Sequence, residues 1–393
     1  MGNWSWSCCL LVLVVLLVKN VDGKDIPLTL LDSNYATQRG AFCLDGSPPG
    51  YHFDAGSGSG ANNWLVHMEG GGWCETIEKC QSVKKIYKGS SSQFEKTMGF
   101  SGMLGGVQAA NPDFYNWNRV KIRYCDQSSF TGDSMDPKTG LYFRGERVWQ
   151  AIIDQLLAKG MKNAQNAILS GCSAGGLAAI LHCDKFRSLL PATATVKCVA
   201  DAGYFIHGKD ITGAYRIENF YSQVVQLHGS QKNLPASCTS RNKPELCFFP
   251  EYVVQTMTTP LFIINAAYDS WQIKNILAPK TADRSGAWKS CTLDLKKCSA
   301  TQLAIVQNYK DQFHNAVTLG LGNRSSCGYF VDSCYAHCQA GSAATWLGDK
   351  SPRLGNTKIG KAVGDWFWGR ATFRSFDRPY PSNPTCVDGG SES

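Results

Sequence analysis

The sequence predicts an α/β fold, a mainly parallel sheet covered by helices on both faces, and three observations predict it. Strand-like and helix-like segments alternate between Arg119 and Asn265. The segment Asn166-Ala-Ile-Leu-Ser-Gly-Cys-Ser-Ala-Gly-Gly-Leu-Ala-Ala-Ile-Leu carries an apolar, β-prone run into Gly-x-Ser-x-Gly and then at once into a helix-like run. A glycine run, Glu69-Gly-Gly-Gly-Trp73, directly follows an earlier strand-like segment. A bare Gly-x-Ser-x-Gly is common by chance. With a strand before it and a helix after it, the turn is tight enough to hold the Ser173 hydroxyl clear of the backbone, the arrangement of an α/β-hydrolase-like nucleophile elbow.

The elements can be taken in chain order. The eleven-residue apolar run Cys8–Val18 is too short to span a bilayer and has the length of a signal-peptide core, with Val21-Asp22-Gly23 as a cleavage site. Residues 1–23 are therefore expected to be a signal peptide, and residues 24–393 one α/β-hydrolase-like domain. No later stretch is long and apolar enough to cross a membrane. Strands are expected at Pro27–Leu31, Ala41–Leu44 and Trp64–Met68, separated by the turn clusters Asp45–Gly50 and Ala55–Gly60. Arg119–Cys125 alternates like a strand. Glu146–Lys159 carries apolar residues at 148, 149, 152, 153, 156 and 157 and is closed by Gly160, which reads as an amphipathic helix. After the Ser173 turn and its helix comes another strand, Thr195–Asp201. The aromatic-rich, irregular stretch from about 205 to 252 reads as a cap inserted over the strand ends. Strand order resumes at Pro260–Asn265.

The formal net charge is +8, and it survives removal of residues 1–23, which contribute one Lys and one Asp. The basic residues are dispersed, which argues against nucleic acid, while the excess favours an anionic substrate or matrix through electrostatic steering. Arg123 and Lys209 are basic side chains to consider near such a substrate. Two of the 17 cysteines, Cys8 and Cys9, fall in the expected signal. The other 15 read as disulfides in a secreted chain, with one left over. Cys172, cramped beside Ser173, is the expected free thiol. Asn323-Arg-Ser is an N-glycosylation acceptor, whereas Asn383-Pro-Thr is blocked by its proline.

A serine hydroxyl becomes a useful nucleophile when a base takes its proton, and a carboxylate must then orient that base. On this fold the three follow the order Ser, Asp or Glu, His. Asp269 ends the run Leu261-Phe-Ile-Ile-Asn-Ala-Ala-Tyr-Asp269, just past a strand terminus, with Asp201 as its rival and capping of the next turn as its structural alternative. Only His314 and His337 follow Asp269. His314 lies in an amphipathic helical pattern. His337 lies in Cys334-Tyr-Ala-His-Cys338, where flanking cysteines would staple a loop-borne base in register. Zinc binding by this cluster gives way to disulfides in a secreted protein. An oxyanion hole is expected from the N–H groups of Gly72, Trp73 and Ala174. No metal or organic cofactor is required.

At this point the chain resembles the plant-type pectin acetylesterases, in the wider family that includes the Notum lipid deacylases. The resemblance spans nearly the whole chain after residue 23. It rests on Leu44-Asp-Gly-Ser-Pro-Pro-Gly-Tyr, Glu69-Gly-Gly-Gly-Trp-Cys, Ser170-Gly-Cys-Ser-Ala-Gly-Gly, Ala267-Tyr-Asp-Ser-Trp-Gln and Asp332-Ser-Cys-Tyr-Ala-His-Cys. It implies Ser173 as nucleophile, Asp269 as orienting acid, His337 as base, and Gly72, Trp73 and Ala174 at the oxyanion positions. It further implies disulfides Cys43–Cys125 and Cys74–Cys80, and hydrolysis of acetyl esters on homogalacturonan pectin in the cell wall. The alternatives are a deacylase of long acyl chains, or a carbohydrate-binding wall protein using Trp366-Phe-Trp368 as a stacking platform.

Overall fold

The computed structural model describes residues 24–387, so the expected signal peptide lies outside the described residues. Ten strands build one sheet: β1 (Asp25–Leu30), β2 (Gly50–Asp54), β3 (Asn63–Met68), β4 (Thr97–Gly99), β5 (Asn118–Ile122), β6 (Asn166–Cys172), β7 (Thr195–Asp201), β8 (Leu261–Ala266), β9 (Gly328–Asp332) and β10 (Arg374–Phe376). Their order across the sheet is β10-β9-β8-β7-β6-β3-β5-β2-β1-β4. Neighbours run parallel from β10 to β5, and β2, β1 and β4 add antiparallel pairs at one edge. The helices of eight residues or more are α1 (Gly145–Ala158), α2 (Ala174–Leu181), α3 (Arg216–His228), α4 (Ala300–Leu321) and α5 (Ile359–Phe367).

The central strands are apolar at nearly every position because both faces are covered. Alternate side chains divide between two cores. Leu65, Ile168, Val199, Ile264 and Phe330 pack with Ile359, Val363, Trp366 and Phe367 of α5. Val66, Leu169, Cys198 and Ile263 pack with Trp149, Ile152 and Leu156 of α1 and Leu177 of α2. Trp366 and Phe367 are therefore core residues, and only Trp368 of that trio is exposed.

Register lines up the carboxyl ends of the strands. Met68 pairs with Gly171, Cys172 with Asp201, and Ala266 with Asp332. The loops after β3, β6, β7, β8 and β9 thus leave the sheet side by side, where open α/β sheets gather their chemistry. The 205–252 stretch holds α3 and short helical turns but no strand, and its two cysteines, Cys238 and Cys247, are bridged.

Two expectations change. Ala41–Leu44 is a turn rather than a strand: Cys43 N donates to Ser47 O at 2.9 Å and Cys43 is bridged to Cys125. Its apolar character reflects burial of Ala41, Cys43 and Leu44, and the strand at this edge is instead β2, beyond the Pro-Pro turn. Cys172 is not a free thiol. It is bridged to Cys338, and the unpaired cysteine among the described residues is the buried Cys327. An odd count shows that one cysteine is left over, but pairing across 166 residues of sequence is decided by strand order. Cys74–Cys80 is bridged as the resemblance implied.

Candidate active site

Ser173 sits between β6 and α2 with φ 57° and ψ −125°, left-handed backbone that a non-glycine residue adopts only when its surroundings impose it. The glycines on either side show what imposes it. A Cβ on Gly171 would meet Gly175 O at 2.1 Å, and one on Gly175 would meet Met68 O at 2.1 Å. The chain can close this turn only with hydrogen at both positions. Ser173 N donates to Asp201 O at 2.9 Å, and Leu177 N to Ser173 O at 2.9 Å, so the turn passes straight into the helix.

The loops after β8 and β9 bring Asp269 and His337 to this serine. His337 Nδ1–H donates to Asp269 Oδ2 at 2.8 Å, and the Ser173 hydroxyl donates to His337 Nε2 at 2.9 Å. The carboxylate fixes this tautomer, since only a protonated Nδ1 can donate to it. All three side chains are buried. Asp269 also caps the following turn, its Oδ1 accepting from Gln272 N at 2.9 Å, so the structural role and the partnership with His337 use different oxygens. Asp201, the rival acid, has another task. Its Oδ2 accepts from Gln339 N at 2.8 Å and Ala340 N at 2.7 Å, holding the loop beyond His337, and burial pushes its carboxyl up to about 6. His314 lies on α4 against Phe376, away from Ser173.

The His337 loop is clamped covalently on both sides, by Cys334–Cys386 and Cys172–Cys338. The second bridge joins the residue before Ser173 to the residue after His337. These sulfurs are committed to disulfides and are not metal ligands.

The glycine loop after β3 is held by residues that sequence reasoning missed. Tyr124 OH donates to Gly72 O at 2.8 Å, Trp73 Nε1 donates to Ser129 Oγ at 2.8 Å, and Ser129 Oγ donates to Ala174 O at 2.8 Å. Ser129 therefore ties the loop to the first turn of α2. Gln127, Ser129 and Phe130 all have positive φ, of 59°, 52° and 59°. The Asp126 carboxylate holds this strained bend, accepting from Ser128 N, Ser128 Oγ and Phe130 N at 3.1, 2.7 and 2.8 Å. The only sequence signal was the polar run Asp126-Gln-Ser-Ser after β5. The N–H groups of Gly72, Trp73 and Ala174 have no acceptor among the described residues, so the glycine loop and the first turn of α2 keep three unused backbone donors. Arg123 is buried and bonded to Glu69 at 2.9 Å, so it braces the base of this loop and is not free to reach a substrate. Lys209 is exposed over Tyr215. Asn323 lies exposed in the turn after α4.

The family model for pectinacetylesterases matches residues 19–387. The chain belongs to the pectinacetylesterase family. It is 62% identical to pectin acetylesterase 7 of Arabidopsis thaliana over 97% of this chain and 96% of the relative, and equally so to pectin acetylesterase 11. Palmitoleoyl-protein carboxylesterase notum2 of Xenopus laevis is 28% identical over 68% of this chain and 57% of its own length. The solved structure of the Wnt deacylase Notum from Drosophila shares the fold, with a TM-score of 0.75 at 22% identity over 93% of this chain and 100% of that one.

Proposed function

We propose that this pectinacetylesterase family member is a secreted serine esterase that removes acetyl groups from cell-wall pectin. The observation that carries the reading is the hydrogen-bonded series Ser173–His337–Asp269 at the strand ends. The near full-length identity to two plant pectin acetylesterases supports the substrate. The +8 charge suits a polygalacturonate backbone. In this reading residues 1–23 direct export, Asn323 carries a glycan, and the 205–252 stretch caps the site.

His337 Nε2 takes the Ser173 proton as Oγ attacks the acetyl carbonyl carbon. The carbonyl oxygen, now an oxyanion, accepts from the N–H groups of Gly72, Trp73 and Ala174. The tetrahedral centre collapses, the C–O bond to the sugar breaks, and His337 returns its proton to the departing sugar oxygen. Water then repeats the sequence: His337 takes its proton, the hydroxide oxygen attacks the acetyl-serine, and acetate leaves as Ser173 regains a proton. Asp269 holds the Nδ1–H of His337 and stabilises the imidazolium.

The test is acetate release from acetylated pectin by wild type and Ser173→Ala. The variant is expected to lose activity by at least about 10³-fold. A variant that releases acetate as fast as wild type overturns the mechanism.

A further inference from the structure

The indole of Trp73 meets the ring of Phe205 at 5.0 Å and that of Trp271 at 5.4 Å, and Phe205 and Trp271 lie 5.1 Å apart. The three interplanar angles are 83°, 75° and 76°, so each ring sets an edge against a neighbour's face and the triangle is closed. Tyr221 and Phe248 back Trp73 at 5.2 and 6.3 Å. Phe205, Tyr221 and Phe248 are fully buried. An alkyl chain needs carbon contacts of about 3.5–4 Å on each side, and rings already in edge contact leave no slot for one.

The proposed mechanism sets this triangle beside the acyl group. Trp73 supplies one of the proposed oxyanion donors, and Trp271 follows two residues after Asp269. Phe205 touches Trp73 and also faces His337 at 6.4 Å. In the proposed mechanism the carbonyl carbon attacked by Ser173 would lie between the His337 base and the Trp73 N–H donor, so Phe205, in contact with both rings, would border the space its acyl group enters. The fold alone does not fix acyl length, because it is shared with relatives named palmitoleoyl-protein carboxylesterases.

We infer that Trp73, Phe205 and Trp271, with Phe248 behind them, set the acyl length this site accepts and hold it to acetyl-sized groups. The inference rests on the esterase reading and names the residues that give it its acyl specificity. Four extra methylenes separate a hexanoyl from an acetyl ester, and each one accommodated in an apolar site contributes about fourfold in kcat/KM.

The experiment measures kcat and KM on p-nitrophenyl acetate, butyrate and hexanoate, normalised to active serine by fluorophosphonate titration. Wild type is expected to lose tenfold or more in kcat/KM from acetate to hexanoate. Phe205→Ala and the half-buried Trp271→Ala are expected to gain tenfold or more on hexanoate over wild type, chiefly through a lower KM. A ring that served stability alone would lower all three esters together. Phe248→Leu, a milder change behind Trp73, should gain on butyrate if Phe205→Ala folds poorly. Equal wild-type turnover of acetate and hexanoate, or folded variants that keep the wild-type order, overturns the inference. Acetate release from acetylated pectin, run in parallel, tests the substrate separately. Its absence alongside an intact short-acyl preference removes pectin and leaves the ring cluster standing.

Discussion

The turn that carries Ser173 and the loop that carries His337 deliver two atoms to within 2.9 Å of one another by different means. The serine turn is fixed chiefly by backbone packing. Two glycines, a left-handed residue and the start of α2 fit against the end of β3 so closely that the conformation has no freedom to lose. The histidine loop adds bonds of another kind. It is held from outside by two disulfides, by Ser270 N donating to Ala336 O at 3.1 Å, and by the Asp201 carboxylate. Asp201 serves both regions, its carbonyl receiving Ser173 N and its side chain receiving Gln339 N and Ala340 N. Steric closure makes a site rigid through backbone contacts that leave no room for a side chain. Clamping does so through disulfides and a carboxylate.

The largest effect should come from breaking the steric half. In Gly175→Ala the new methyl would face Met68 O at 2.1 Å and Glu69 O at 2.6 Å, and backbone atoms cannot swing aside as a side chain would. The turn must open, moving Ser173 away from His337, and misplacement of about 1 Å costs on the order of 10²-fold in rate. We expect kcat on p-nitrophenyl acetate to fall at least hundredfold, with circular dichroism reporting whether the sheet persists. A folded variant with wild-type kcat would show that the turn tolerates side chains and that steric closure is not what places the serine.

Breaking the clamp should cost less. The double variant Cys172→Ala/Cys338→Ala removes the bridge and keeps the bonds of Gln339 N and Ala340 N to Asp201 and of Ser270 N to Ala336 O. Loss of a disulfide closing so long a loop is expected to lower stability by about 2–4 kcal/mol. We expect kcat to fall roughly tenfold through looser placement of His337, with KM near the wild-type value. Cys327→Ala, the unpaired cysteine, serves as the control and should leave kcat unchanged. If the double variant matched that control in rate, Asp201 and Cys334–Cys386 would be sufficient to hold the base.

The same contrast explains how much was legible in the sequence. Ser173, its flanking glycines, α1 and the central strands announce themselves because local sterics and periodicity fix them. Asp269 and His337 followed from chain order on the fold, and the structure brings both to Ser173. The Cys172–Cys338 bridge was not legible, because it depends on the parallel strands β6 and β9 having their carboxyl ends on the same side of the sheet, a fact of topology. Nor was Ser129, whose bonds to Trp73 and Ala174 cross 56 and 45 residues of sequence. The misplaced strand at Ala41–Leu44 has the same origin: a short apolar run reports burial, and a disulfide to Cys125 can bury a turn as completely as a sheet buries a strand.

The smallest effect separates the two regions by pH. Gly171–Gly176 contains no titratable side chain apart from the bridged Cys172 and the Ser173 hydroxyl, whereas the histidine loop springs from Asp332, buried at the end of β9. Burial, reinforced by the carboxylates of Asp377 and Asp201, pushes Asp332 from 3.8 up to about 7. A carboxyl whose folded-state pKa is raised holds its proton more tightly when folded. Its contribution to stability is fully present below the unfolded value and is lost as pH rises through about 7. Four buried histidines, His52, His67, His182 and His228, have lowered pKa values and give the opposite slope. The raw curve therefore mixes the two, and a difference between proteins isolates Asp332. Asp332→Asn keeps an acceptor for Cys334 N, which Asp332 Oδ1 receives at 3.0 Å, and removes the charge. Its Tm relative to wild type should rise between about pH 4.5 and 7.5 by roughly 3 °C or more. A difference that stays flat across that window would mean that the Asp332 carboxylate ionises without cost, and that the histidine loop is as indifferent to pH as the serine turn.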